Sequence, residues 1–128
     1  PTPLLQGGPT LGGYSMDFYN DKLGIIYGGD YTTPSRNLRN IAITRDGGSS
    51  WQTLADSTNT GYRSCVQFVP KAGGEHIVAI GFPGISYSAD AGETWRLLSK
   101  EPFLSFRFVN DSIAFASGRN RIARLYFK

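Results

Sequence analysis

The chain has few of the residues that most catalytic and metal sites need. Its 128 residues include one cysteine, Cys65, and one histidine, His76. A single cysteine excludes an internal disulfide and a thiolate-rich metal site, so we expect Cys65 to be a small core residue. His76 stands beside Glu75, and this pair alone does not make a metal site. No Gly-x-Ser-x-Gly motif is present, so a serine hydrolase is not indicated. We predict no metal and no cofactor.

Long apolar runs and dense charge runs are also missing. No stretch approaches the 18 apolar residues that indicate a transmembrane helix. Thirteen basic residues against ten acidic ones give a net charge of +3. The only basic concentration lies near the C-terminus, at Arg119, Arg121, Arg124 and Lys128. A nucleic-acid-binding protein usually has a denser basic stripe, so we expect no nucleic-acid partner and interpret these residues as a solvated strand edge.

The composition favours strands and tight turns. Aromatic residues make up 13% of the chain, charged residues only 18%, and there are 16 glycines and 7 prolines. β-branched and aromatic residues are enriched in strands, and glycine and proline in turns. No segment keeps a 3.6-residue apolar period. The sequence therefore predicts an all-β fold.

An internal repeat divides the chain into units. The segment 41–54, IAITRDGGSSWQTL, matches 85–98, ISYSADAGETWRLL, at an offset of 44 residues. Two strand-like runs precede each copy, and a third set of such runs follows over 105–127. Repeats of this length are typical of propellers and solenoids. We predict an irregular lead-in over 1–13, a first unit over 14–60, a second over 61–100, and a partial third over 101–128.

The repeated segment resembles the Asp-box, or BNR repeat, Ser/Thr-x-Asp-x-Gly-x-Thr/Ser-Trp, at 44–51 and 88–95. The chain is similar to bacterial propellers related to photosystem II assembly factors and to sortilin-type propellers. The resemblance implies a partial β-propeller of about three blades, each a four-stranded antiparallel sheet. It assigns the motif to Thr44, Asp46, Gly48, Ser50, Trp51, Ser88, Asp90, Gly92, Thr94 and Trp95.

The chemistry of the motif is that of a tight turn between the third and fourth strands. The aspartate accepts hydrogen bonds from backbone N–H groups, the glycine adopts positive φ, and the hydroxyl closes the loop. The tryptophan is expected to bury its ring between blades. We interpret these residues as structural and not as ligand contacts.

Ligand contacts are expected on the loops that follow the second strand of each unit. These loops cover 28–31, 81–84 and 118–120. Because they are equivalent in three units, they should meet on one rim of the propeller. Asp30, Tyr31, Phe82 and Arg119 are the candidate binding residues.

The resemblance implies a non-catalytic scaffold for protein interaction or assembly. The alternatives are part of a sialidase-like or related glycoside hydrolase, and a propeller labelled oxidoreductase by similarity. A closed propeller has about four to eight blades, so we expect this chain to be part of a longer protein. Its partners would be a protein, further blades, or a second copy. The resemblance also suggests an extracytoplasmic location.

Overall fold

The computed structural model describes residues 11–37 and 39–127. The first sheet contains β1 (Leu11–Phe18), β2 (Gly24–Asp30), β3 (Ile41–Thr44) and β4 (Gln52–Thr53). The second contains β5 (Cys65–Phe68), β6 (Ile77–Gly81), β7 (Gly84–Ser88) and β8 (Arg96–Ser99). The third contains β9 (Ser105–Phe108), β10 (Ile113–Gly118) and β11 (Arg121–Tyr126). In this part of the chain, no helix is long and apolar enough to cross a membrane.

All three sheets are antiparallel, and their strands follow chain order. The first strands of successive sheets, β1, β5 and β9, lie against one another. The Asp17 carboxylate accepts a hydrogen bond from the Phe68 N–H at 2.8 Å. At the equivalent place one sheet further on, Gln67 accepts one from the Phe108 N–H at 2.9 Å. The repeated bond shows that the sheets stack in one constant relation, and the predicted all-β fold of three units is confirmed.

The core lies in two layers between neighbouring sheets. Side chains alternate between the two faces of a strand, and β6 is buried on both faces. Ile77 and Ala79 join the cluster between the first and second sheets. Val78 and Ile80 join the cluster between the second and third sheets. Cys65 is half-buried and packs against this second cluster.

The outer faces of the first and third sheets carry exposed apolar side chains. Met16 on β1 is 57% exposed, and Ile122 on β11 is 81% exposed. Trp51 packs on the first of these faces, against Ile26 and Ala42, and is only half-buried. It therefore differs from Trp95, which lies between two sheets and is 8% exposed. The expectation that both rings lie between blades holds for Trp95. It does not hold for Trp51, which has no second sheet over it among the described residues.

The first strand begins earlier than the sequence predicted. β1 starts at Leu11, whereas the lead-in was expected to continue to residue 13. Gly12 and Gly13 pair with Gly29 and Gly28 of β2, and the register shifts between Gly13 and Ser15. Glycine is uncommon in strands, so the sequence of this segment predicts an irregular conformation. Residues 1–10 of the predicted lead-in lie outside the described residues.

Candidate functional site

Three connections lie at the same end of the three sheets, a long one over 31–40 and two tight turns. They follow β2, β6 and β10, the second strand of each sheet. The β6–β7 turn is Phe82 and Pro83, between the paired Gly81 and Gly84. The β10–β11 turn holds Arg119, between the paired Gly118 and Arg121. The sequence had placed the candidate binding residues at these connections.

Four aromatic side chains form a continuous surface at this end, which we call the aromatic rim: Tyr14, Tyr31, Tyr62 and Phe82. Tyr62 is the buried centre, at 6% exposed. Its ring centroid lies 5.3 Å from that of Tyr14, 5.4 Å from that of Phe82 and 6.4 Å from that of Tyr31. The three surrounding rings are 39–48% exposed. The rim thus offers partly exposed rings on a fixed support, a surface type enriched at protein interfaces.

A cavity adjoins the aromatic rim on the side of the third sheet. This rim pocket has a volume of about 410 Å³ and is lined by Phe82, Pro102, Leu104, Arg119 and Arg121. Leu104 is 50% exposed. The pocket therefore combines apolar walls with two guanidinium groups.

The two arginines of the rim pocket differ in how they are held. Arg121 Nη1 pairs with Glu101 Oε2 at 2.9 Å, and its Cζ lies 4.4 Å from the ring centroid of Phe103. Arg119 is exposed and forms no ion pair with any residue that the structure describes. Arg119 is therefore available to a carboxylate of a ligand, while Arg121 is already bound in place.

The hydroxyls of Tyr62 and Tyr14 stay protonated at neutral pH, because the pKa of each is raised. Burial raises the pKa of Tyr62, and the neighbouring Tyr14 raises it further. Burial also raises the pKa of Tyr14, with added contributions from Tyr31 and Asp30. A protonated phenol both donates and accepts hydrogen bonds, so the rim also presents polar groups.

A buried positive charge lies beneath the rim. Arg63 is 1% exposed, and its Nη1 donates to the Tyr62 carbonyl at 2.6 Å. Its Nε has no hydrogen-bond partner among the described atoms, and no described carboxylate pairs with it. Since charges are screened less in the protein interior than in water, Arg63 makes the potential at the rim more positive.

Asp30 occupies a different position from the other candidates. It is 8% exposed, and its Oδ1 accepts hydrogen bonds from the Thr32 N–H at 3.0 Å and the Thr32 hydroxyl at 2.6 Å. This aspartate shapes the loop that carries Tyr31. The spacing Asp-x-Thr is a known turn signal and could have indicated this from the sequence. Its role as a ligand contact stays a prediction.

The structure adds three residues that the sequence did not indicate: Tyr14, Tyr62 and Leu104. Tyr62 comes from the segment between the first and second sheets, and its backbone packs against Gly29, where an added Cβ would lie 3.1 Å from the Tyr62 Cα. Leu104 directly precedes β9, and its carbonyl accepts a hydrogen bond from the Ser64 hydroxyl at 2.7 Å. No local sequence pattern marks these residues, because packing between distant segments brings them to the rim.

The two repeated aspartate turns lie at the opposite end of the sheets. In the first, Asp46 Oδ1 accepts from the Thr44 hydroxyl at 2.8 Å and from the Ser50 N–H at 2.9 Å, and Oδ2 accepts from the Ser50 hydroxyl at 2.5 Å. These bonds, led by that of the Ser50 hydroxyl, lower the pKa of Asp46 to about 2. The carboxylate is therefore ionised and fully engaged within its own turn.

The second turn has the same bonds at the same lengths. Asp90 accepts from the Ser88 hydroxyl at 2.8 Å, from the Thr94 N–H at 2.9 Å and from the Thr94 hydroxyl at 2.5 Å. Burial raises the pKa of Asp90, but the bonds from Thr94 and Ser88 outweigh it, and the pKa lies below its usual value. Gly48 and Gly92 both have φ of 93°. The Trp95 indole N–H donates to the Gly92 carbonyl at 2.8 Å, which joins the turn to the core.

Comparison with known proteins identifies the fold of the chain. No family model matches the chain, and no curated protein matches it. Among solved structures, YCF48 bound to D1 peptide matches 98% of this chain at 19% identity and a TM-score of 0.63. YCF48 from Cyanidioschyzon merolae matches 93% of this chain at 23% identity and a TM-score of 0.62. The chain spans 43% and 35% of the length of those two proteins. The likeness shows that the three sheets of this chain have the fold of β-propeller blades.

Proposed function

We propose that this protein is a non-catalytic scaffold that binds a peptide segment of a partner protein across its aromatic rim. The observation that carries the proposal is the continuity of the rim with the rim pocket. The residues of this surface come from the connections within and between the three sheets. They are Tyr31, Tyr62, Phe82, Leu104 and Arg119. Such a surface combines partly exposed rings with an apolar anchor point and a charged edge.

The charges at the rim-pocket end of the site favour an acidic residue in the peptide, while the Asp30 carboxylate lies at the Tyr14 end. Arg119 forms no ion pair among the described residues, and the buried Arg63 donates a hydrogen bond to the Tyr62 carbonyl. An apolar side chain of the peptide would fill the rim pocket, and a neighbouring carboxylate would bind Arg119. The structural neighbour described as YCF48 bound to D1 peptide is a propeller of similar fold with a peptide ligand, which supports this class of partner.

The proposal is tested by selecting peptides from a random twelve-residue display library on the immobilised chain. The selected peptides are then measured by fluorescence anisotropy against the wild type and two rim variants, Phe82→Ala and Arg119→Ala. We expect sequences that combine an acidic residue with an aromatic or branched apolar one. Each variant should weaken binding about tenfold, since the anchors of an interface carry most of its binding energy.

Matched control variants exist on the outer face of the third sheet. Phe115→Ala removes a phenylalanine that is 46% exposed, against 39% for Phe82. Arg124→Ala removes an exposed arginine that lies 5.9 Å from the Phe115 ring. Both controls should bind the peptides as the wild type does. If the controls weaken binding as much as the rim variants, or if no peptide is enriched, the rim is not a peptide site.

We also propose that the two aspartate turns are Asp-boxes and that they serve folding alone. Their matching bonds at Asp46 and Asp90 support this. Replacing Ser50 or Thr94 by alanine removes the hydroxyl that donates a hydrogen bond to Asp46 or Asp90. Both variants should melt at a lower temperature and bind the selected peptides unchanged. Weaker peptide binding without loss of stability would assign these turns to the ligand.

The exposed outer face of the third sheet supports a further proposal, that another four-stranded blade covers it. Phe115, Ile122 and Tyr126 are 46–81% exposed there. The blade would come from a longer form of the protein or from a second copy of this chain. Sedimentation of the chain separates the two: a concentration-dependent dimer that Ile122→Lys abolishes supports a second copy. A monomer at all concentrations supports a longer protein.

The location stays a proposal drawn from the resemblance, and we infer an extracytoplasmic protein. Fractionation of cells that express the full-length protein from its own gene tests this directly. The glycoside hydrolase and oxidoreductase alternatives remain predictions, because one fold hosts many unrelated activities and the fold alone does not choose between them.

A further inference from the structure

A second cavity lies at the other end of the molecule, between the second and third sheets. It has a volume of about 210 Å³ and is lined in part by the β5–β6 turn and by Asp111 of the β9–β10 turn. The aromatic rim is at the far end of the same sheets, so this cavity is a separate site. Its volume is below the about 300–1,000 Å³ of sites for drug-sized ligands. It therefore suits a ligand the size of an amino acid.

The walls of the cavity are apolar on one side. Val69 is 7% exposed and joins the core cluster between the two sheets, with Ala72 and Phe127 packed against the same cluster. Phe127 is fixed by its backbone, since its N–H donates to the Ser112 carbonyl at 2.7 Å. The ring of Phe127 also packs on that of Phe108, with centroids 5.3 Å apart. This side of the cavity is a rigid surface for an aliphatic or aromatic side chain.

The opposite wall is a hydrogen-bonded pair, His76 and Tyr87. The Tyr87 hydroxyl is bonded to Nδ1 of His76, and the two rings stack with centroids 5.8 Å apart. Arg96 lies over the Tyr87 ring at 5.4 Å from its centroid. When the hydroxyl donates to Nδ1, the imidazole carries its proton on Nε2. Among the described residues no hydrogen bond is made to Nε2, so in this tautomer the Nε2–H can donate to a ligand.

Two side chains of opposite charge line the cavity and do not form an ion pair with each other. Lys71 and Asp111 both line it and both are exposed. Neither forms an ion pair with any residue of the described chain. Asp111 Oδ1 accepts only a long hydrogen bond from the Ser112 hydroxyl, at 3.2 Å. An ammonium and a carboxylate beside one apolar cavity are complementary to a zwitterion.

We propose that this cavity binds a free α-amino acid with an apolar side chain. Lys71 and the His76 Nε2–H hold the carboxylate of the ligand, and Asp111 holds its ammonium group. The side chain of the ligand lies on Val69 and Phe127. The site is independent of the peptide site at the rim.

The test uses the fact that His76 is the only histidine of the chain. Its imidazole proton signals in the NMR spectrum therefore report on this cavity alone. The wild type is titrated with L-leucine and L-phenylalanine, and then with 4-methylpentanoate, which lacks the ammonium group, and 3-methylbutylamine, which lacks the carboxylate. We expect saturable shifts with both amino acids. Either analogue should bind about tenfold more weakly, as should L-glutamate.

Two variants and two matched controls complete the test. Lys71→Gln and Asp111→Asn should each weaken leucine binding about tenfold, and both residues are exposed, so the fold should persist. Lys22→Gln and Asp21→Asn change the same residue types in the equivalent turn of the first sheet and should have no effect. If no amino acid shifts the His76 signals saturably, or if the analogue without an ammonium group binds as tightly as leucine, the proposal is wrong.

Discussion

Replacement of Trp95 by alanine should be one of the most destabilising single changes in this chain. The side chain is 8% exposed and packs between the first and second sheets. At about 25 cal/mol per Å² over roughly 200 Å², its burial contributes about 5 kcal/mol as an upper value. Its ring also meets that of Tyr27 edge-on, with centroids 5.2 Å apart, and its N–H bonds the Gly92 carbonyl. Large-to-small changes of this kind cost about 3–5 kcal/mol.

Trp51 is the matched comparison, because it follows the same turn in the first repeat. It is only half-buried and packs on the open face of the first sheet, beside the exposed ring of Phe18. Trp51→Ala should cost about 1–2 kcal/mol, since less apolar surface is lost. Urea unfolding followed by far-ultraviolet circular dichroism measures both. Trp95→Phe keeps a ring and serves if Trp95→Ala does not fold. Equal losses for Trp51 and Trp95 would refute the argument that the contact between sheets, and not the turn, makes Trp95 important.

Three further changes follow from local geometry. The pKa of Asp46 in the folded chain is about 2, below its usual 3.8. The stabilising effect of the ionised carboxylate is therefore complete above pH 4 and is lost as the pH falls towards 2. The difference in stability between the wild type and Asp46→Asn should shrink over that interval, and a constant difference would contradict this. Gly84→Ala places a Cβ 2.2 Å from the Ser99 carbonyl, whereas Gly73→Ala also has positive φ but meets only the Glu75 carboxylate at 4.0 Å. Gly84→Ala should therefore lower the melting temperature much more than Gly73→Ala, and similar shifts would argue against the close approach of Gly84 in β7 and the end of β8. Arg63→Met removes a buried charge that forms no ion pair with a described carboxylate. Urea unfolding should show unchanged or higher stability. A loss above about 3 kcal/mol, the size expected for a broken buried ion pair, would mean that interactions within the protein offset the burial of the guanidinium charge.

Much of the fold could be predicted because two segments of the sequence, 41–54 and 85–98, repeat the same residues at the same spacing. The recurrence of Asp46 and Trp51 at Asp90 and Trp95 placed a turn before the last strand of each complete sheet, and the structure has β4 and β8 directly after these tryptophans. A short turn of this kind depends on local residues alone. The start of β1 was missed because its glycines give no strand signal, and only pairing with Gly28 and Gly29 makes them a strand.

The candidate site was predictable only in part. Tyr31, Phe82 and Arg119 lie at equivalent connections, so symmetry was enough to place them at one end. Tyr62 has no such position, since it becomes the centre of the rim through its packing on Gly29 and on the Tyr14 and Phe82 rings. The rim pocket depends likewise on Leu104, which is brought there by the stacking of β9 on β5. Contacts between distant segments of this kind are set by tertiary packing and leave no local pattern.

The most direct test of the peptide-binding claim is to map a bound peptide on the chain. The amide spectrum of the isotope-labelled protein is recorded with and without the tightest peptide from the display selection. The account predicts shifts concentrated at Tyr31, Tyr62, Phe82, Leu104 and Arg119, with none at the outer face around Phe115 and Ile122. Shifts confined to that outer face, with the rim unchanged, would contradict the account and place partner binding on the outer face of the third sheet.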